Sequence, residues 1–108
     1  MSENKHEVIF CIVNEGFSET AMDAARHGGA RGGTVIRARG TANKEAEKLF
    51  GLSVSPQKEI VMIVADADQR NDILHSLYSV CGLDTPGHGI VFALPVDEVA
   101  GLSPEPEK

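Results

Sequence analysis

A chain of 108 residues that is 42% hydrophobic can bury one core, and it has the size of one ordinary domain. Its 10 Lys and Arg stand against 16 Asp and Glu, a formal charge of −6, which argues against general nucleic-acid binding because that needs a basic patch. The balance still permits one local basic site for a single phosphorylated ligand.

The start, Met1 to Glu7, is polar and mixed in charge. The apolar run Val8 to Val13 is too short for a signal-peptide core or a bilayer span, so a cytoplasmic protein with no direct membrane insertion is expected. Glu7 to Val13 reads as a strand, ended by Asn14-Glu15-Gly16. Ser18 is the expected N-cap of a helix running to about His27, with Phe17, Ala21, Ala24, Ala25 and Gly28 on one stripe. Gly28 and Gly29 stop that helix. Thr34 to Arg39 is a second strand. Asn43 to Phe50 reads as a short amphipathic helix, with Ala42, Ala46, Leu49 and Phe50 on one side and Gly51 closing it. Pro56 to Ala65 holds the third strand, centred on Ile60 to Val64. Asp66 or Asp68 is expected to cap the next helix, whose apolar positions are Ile73, Leu74, Leu77, Tyr78 and Cys81 and whose stop is Gly82. Ile90 to Val96 is the fourth strand. The tail, 103–108, is proline-rich and charged and is expected to be disordered.

The order strand, helix, strand, strand, helix, strand predicts an α+β, ferredoxin-like domain over 1–102. Its four strands form one antiparallel sheet with two helices on one face. A solvated second face should show apolar and polar residues in alternation, but strands one, three and four are apolar on both sides. Left bare, that face would be a large apolar patch, so other copies of the chain are expected to cover it. Closed symmetry permits two or three.

Cys11 and Cys81 sit among apolar neighbours and belong to no CxxC motif. They read as buried reduced thiols rather than a disulfide or metal pair, in keeping with a reducing compartment. His6, His27 and His75 are scattered with no ligand spacing. Asp66-Ala67-Asp68 fits helix capping better than paired carboxylate chemistry. No nucleophile and base stand at a recognisable spacing, so the chain is expected not to be an enzyme; an isomerase or a small monooxygenase is the weakest reading. Gly28 to Gly33 lacks the GKS or GKT ending of a phosphate loop and reads as a helix stop and turn, with Arg31 free for an intersubunit contact.

Two segments carry more. Gly32-Gly33-Thr34-Val35-Ile36-Arg37-Ala38-Arg39-Gly40 and Gly87-His88-Gly89-Ile90-Val91-Phe92-Ala93-Leu94-Pro95-Val96 each join a glycine-rich turn to an apolar strand. With Lys58 to Asp66 between them, they resemble the PII signal-transduction family. The resemblance runs from Glu7 to Leu102. It implies a homotrimer that binds an adenine nucleotide in the clefts between subunits and contacts a target through a loop after the second strand. On this resemblance Thr34 lies near the adenine ring, Ile63 lines the base pocket, and Arg39 and Gly40 begin the target-binding loop, here shortened to 40–55. Gly87 and Gly89 form the phosphate turn, where backbone N–H groups approach oxygens closely.

Departures narrow the ligand. The family's Gly-Asp-Gly-Lys turn is Gly87-His88-Gly89-Ile90 here, so its lysine is missing. Asp97 to Leu102 supplies neither of the family's two arginines after the last strand. The shortened loop has no tyrosine to modify. AMP, ADP or a cyclic nucleotide is therefore expected over MgATP, with no cofactor required and no 2-oxoglutarate response assigned.

Arg37 and Arg39 share one face of their strand and offer forked donors to phosphate or carboxylate, with a salt-bridged sheet edge as the plain alternative. His88 is expected to donate to a phosphate or ribose and to titrate near neutrality. Lys58 could reach across the cleft. Leu49 and Phe50 are candidate anchors for a target, with a membrane transporter as the expected class, set against simple local packing. A trimeric metal-binding protein of the divalent-cation-tolerance type is the alternative on the same fold. Gly89→Glu is expected to abolish ligand binding without dissolving the oligomer.

Overall fold

The computed structural model describes residues 5–41, 57–83 and 89–101. The expected Asn43 to Phe50 helix with Leu49 and Phe50, the rest of the 42–55 stretch, Gly87, His88 and the 103–108 tail lie outside the described residues.

The elements are β1 (His6–Asn14), α1 (Ser18–His27), β2 (Thr34–Arg39), β3 (Gln57–Asp66), a 3-10 turn (Ala67–Gln69), α2 (Arg70–Val80) and β4 (Gly89–Val96). The strands form one antiparallel sheet in the order β2-β3-β1-β4. This is the ferredoxin-like arrangement that the order of elements predicts. The register aligns Ile9 with Ile63 and with Ala93, and Val35 with Val61.

Strand side chains alternate between faces, so one register assigns every residue to a side. Ile9, Cys11 and Val13 of β1 and Val61, Ile63 and Ala65 of β3 point toward the helices and are buried. Ala21, Met22, Ala24 and Ala25 of α1 meet them, as do Ile73 and Leu77 of α2. Removing a large aliphatic side chain of this kind from water is worth about 1.5–3 kcal/mol. The helices approach closely where Gly28 ends α1. A Cβ there would stand 2.8 Å from the Ile73 Cα. The Ser76 hydroxyl crosses the same contact and donates to the Ala24 carbonyl at 2.7 Å.

Three local expectations are corrected. Ser18 is the first helical residue, Phe17 occupies the N-cap position, and no side chain caps it. The free N–H groups are satisfied from across the fold instead. The Glu59 carboxylate accepts from the Gly16 N–H at 3.0 Å and from the Ser18 N–H at 3.2 Å. Phe17 leaves the expected buried stripe and is 54% exposed, while Met22 takes a place in the core. Neither Asp66 nor Asp68 caps α2 with its side chain, because the 3-10 turn intervenes and Gln69 precedes the helix.

The other face of the sheet has no helix on it among the described residues. Val8, Phe10 and Ile12 share it with Ile60, Met62 and Val64, and with Ile90, Phe92 and Leu94. Phe10 and Phe92 stack there at 5.3 Å between ring centres. Ile90 is 56% and Leu94 50% exposed. The expected two-sided apolar sheet is therefore present.

The Gly16 N–H, then the Ser18 hydroxyl and N–H and the Arg37 charge, hold the Glu59 carboxyl below its usual range against the opposing effect of burial. A carboxylate lowered in the folded state adds stability above its unfolded pKa, about 4.3, and loses it as pH falls through the folded value. Glu59→Ala is expected to melt below the wild type at pH 7, and the two melting temperatures should converge in acid. A constant difference at every pH in thermal scans would remove Glu59 from this role.

Candidate functional site

The α1 stop sets the first wall of a cleft. The Ala30 N–H donates back to the Ala25 carbonyl at 2.9 Å, which turns the chain off the helix and buries Ala30. The chain then runs through Arg31, Gly32 and Gly33 to Thr34, which pairs with Met62 of β3. The cleft between that turn and the edge of the sheet holds about 420 Å³. Ala30 to Thr34 line one side, Met62, Val64, Ala65 and Asp66 the other, and Gln69 closes the end. The mix is that of a small-molecule site, an apolar wall with a few polar groups. Arg31, Thr34, Asp66 and Gln69 supply those groups. The Asp66 carboxylate also lies 3.6 Å from the His6 Nε2.

Among the described residues expected to touch a ligand, only Thr34 lines this cleft. Ile63 does not. It is fully buried against the helices, and the residues that face the cleft on either side of it are Met62 and Val64. The pleat explains the correction, since neighbours along a strand point to opposite sides.

Arg37, Arg39, Gly40 and Lys58 gather at the other end of the β2–β3 pair. Arg37 stands opposite Glu59, Ala38 opposite Lys58, and Arg39 opposite Gln57. Lys58 donates to the Asn14 Oδ1, and Gly40 sits against the Lys58 stem. Arg37 and Arg39 are exposed, and the Arg37 charge is the smallest of the influences that lower the Glu59 carboxyl. This basic end is separated from Thr34 by the length of β2.

Gly89 begins β4 and pairs with Val13. Its φ of +148° suits glycine, and a Cβ would stand 2.3 Å from the Ile12 carbonyl oxygen. Any side chain at 89 must part β4 from β1. Gly89→Glu would thus damage the sheet, and it cannot separate ligand binding from assembly.

β2 and β4 are the two outer strands of the sheet. The Thr34 cleft and Gly89 therefore lie three strand spacings apart, about 14 Å across the sheet. Within one chain the Thr34 cleft and Gly89 stand on opposite edges of the sheet.

Sequence reasoning missed Met62, Val64, Asp66 and Gln69. It read Gly28 to Gly33 as a helix stop and turn, which is correct, but the same segment also forms the cleft wall. Among the described residues no three His, Cys, Asp or Glu side chains are grouped so as to hold a metal ion. No helix among them is long and apolar enough to cross a membrane.

Substituting Ile63 separates core from cleft. Ile63→Ala is expected to cost about 2–5 kcal/mol in urea unfolding, as large-to-small changes in tight cores do. A cost well under 1 kcal/mol would return Ile63 to the surface.

No protein-family model matches the chain, and no curated protein matches it either. Among solved structures the fold is similar to that of PII from Arabidopsis thaliana, determined bound to citrate. The TM-score is 0.69 at 25% sequence identity, and the match covers 93% of this chain and 82% of that one.

Proposed function

We propose that this chain, whose fold is similar to that of PII, is a divergent PII-like signal-transduction regulator rather than an enzyme. Its input is a small adenine nucleotide bound between subunits. Three copies meet through their open apolar sheet faces, and the Thr34 cleft of one chain lies against the Gly89 turn of the next. The observation that carries this reading is the placement of the Thr34 cleft and of Gly89 on opposite edges of the sheet. A closed ring of copies is the arrangement that can join such edges.

In each joined site, Met62 and Val64 offer an apolar wall to the base, Thr34 a hydroxyl, and Arg31 a positive charge. Ile90 stands where the family places a phosphate-binding lysine, and Asp97 to Leu102 adds no arginine. Few cations face the phosphates, so AMP, ADP or a cyclic nucleotide suits the site better than MgATP. Arg39, Gly40 and Lys58 mark the root of the 40–55 segment. Ligand binding favours one state of that segment, and the segment engages or releases a target protein, for which a membrane transporter is our assignment. Such a switch needs the ligand to bind the two states unequally.

Isothermal titration calorimetry of the purified protein tests the reading with AMP, ADP, MgATP, cyclic AMP, cyclic di-AMP and, as a competing anion, citrate. We expect one adenine nucleotide to bind selectively. Thr34→Val should weaken it about tenfold, the equivalent of one lost hydrogen bond, with the oligomer unchanged. A protein that binds none of the nucleotides, or a Thr34→Val variant of full affinity, would overturn this site.

A further inference from the structure

Cys11 and Cys81 are far apart in the chain but meet in the fold. Cys11 lies on the helix-facing side of β1 and is wholly buried in the core. Cys81 follows the last residue of α2 and packs against the same core. The Cys81 N–H donates to the Leu77 carbonyl at 3.0 Å, which fixes its backbone at the helix end. Both thiols are free, and each lies near enough to the other to influence its ionisation.

The two differ in access. Cys81 is half-buried and, with Val13, Phe17, Thr20, Val80 and Gly82, lines a cavity of about 290 Å³. Phe17 and Val80 at its rim are both more than half exposed. A small solute can therefore approach Cys81 from this cavity. Cys11 has no exposed surface, and Cys81 packs against the core that holds it.

We propose that Cys11 and Cys81 form a dithiol redox pair in which Cys81 is the attacking thiol and Cys11 the resolving one, closing an intrachain disulfide that staples the middle of β1 to the end of α2. The oxidant is a small disulfide of the glutathione class. The Cys81 thiolate attacks one sulfur of the oxidant, forming a mixed disulfide and expelling one thiolate. Cys11 then attacks the Cys81 sulfur. The second small thiol leaves, taking the Cys11 proton. The two protein sulfurs lose two electrons, and the small disulfide gains them as two thiols.

Burial pushes both thiols up, Cys11 to about 12, and at Cys81 the neighbouring Cys11 offsets this only in part. Attack needs the thiolate. The staple therefore closes slowly at neutral pH and faster as pH rises toward 9. The reduced pair is the resting form in a reducing compartment, and the oxidised pair is the response to a more oxidising one.

The test uses the full chain, incubated in glutathione buffers of increasing oxidised fraction, then alkylated and weighed intact. The wild type should lose both free thiols together, remain a single chain on a non-reducing gel, and recover both thiols with dithiothreitol. Its melting temperature should rise on oxidation, because the cross-link restricts the unfolded chain. Cys11→Ser should stop at a stable glutathione adduct on Cys81. Cys81→Ser should leave Cys11 unmodified in the folded protein. A wild type that stays reduced throughout, stops at the glutathione adduct, or forms only disulfides between chains would overturn the proposal. The wild-type arm decides the matter even if a variant fails to fold.

Discussion

Three of the four strands are apolar on both sides, and the two helices can cover only one side. Everything else in the molecule answers to that imbalance. On the covered side, Ile9, Val61, Ile63, Ile73 and Leu77 are fully buried, and the small residues of α1 let the helices lie close to the sheet and to each other. On the other side, Phe10 and Phe92 stack, yet Ile90 and Leu94 remain half exposed. A soluble chain rarely leaves such a patch bare. Assembly through this face is the solution that we assign. On that assignment the ligand site we propose is divided between copies, and a site completed only by a neighbour couples ligand binding to quaternary structure.

Much of the fold was legible in the sequence. Thr34 to Arg39 has the predicted limits, and β1, β3 and β4 differ from expectation by a residue or two at their ends. Apolar runs bounded by glycine and polar turns carry that information locally. The site was less legible, for a physical reason. In a strand that is apolar on both faces, Ile63 and Val64 look alike, and only the register with β1 shows which one the helices bury. Where apolar and polar residues alternate, the same question answers itself.

The cap of α1 teaches the same lesson at the scale of one residue. Ser18 has the right side chain for an N-cap, yet it is the first helical residue and its backbone N–H donates to Glu59. Glu59 is distant in sequence and becomes a neighbour only because β3 pairs with β1. The Gly28 to Gly33 segment also serves two purposes. It ends a helix, which local rules predict, and it walls a cleft, which depends on β3 lying beside it.

Native mass spectrometry of the purified chain, titrated with the nucleotide that calorimetry selects, tests the central claim most directly, because it reads subunit number and bound ligand together. The account predicts trimers of the 11.5 kDa chain that carry up to three nucleotides, with none on dissociated monomers. Monomers that carry nucleotide as readily as the assembled form would contradict it, since a single chain would then hold a complete site.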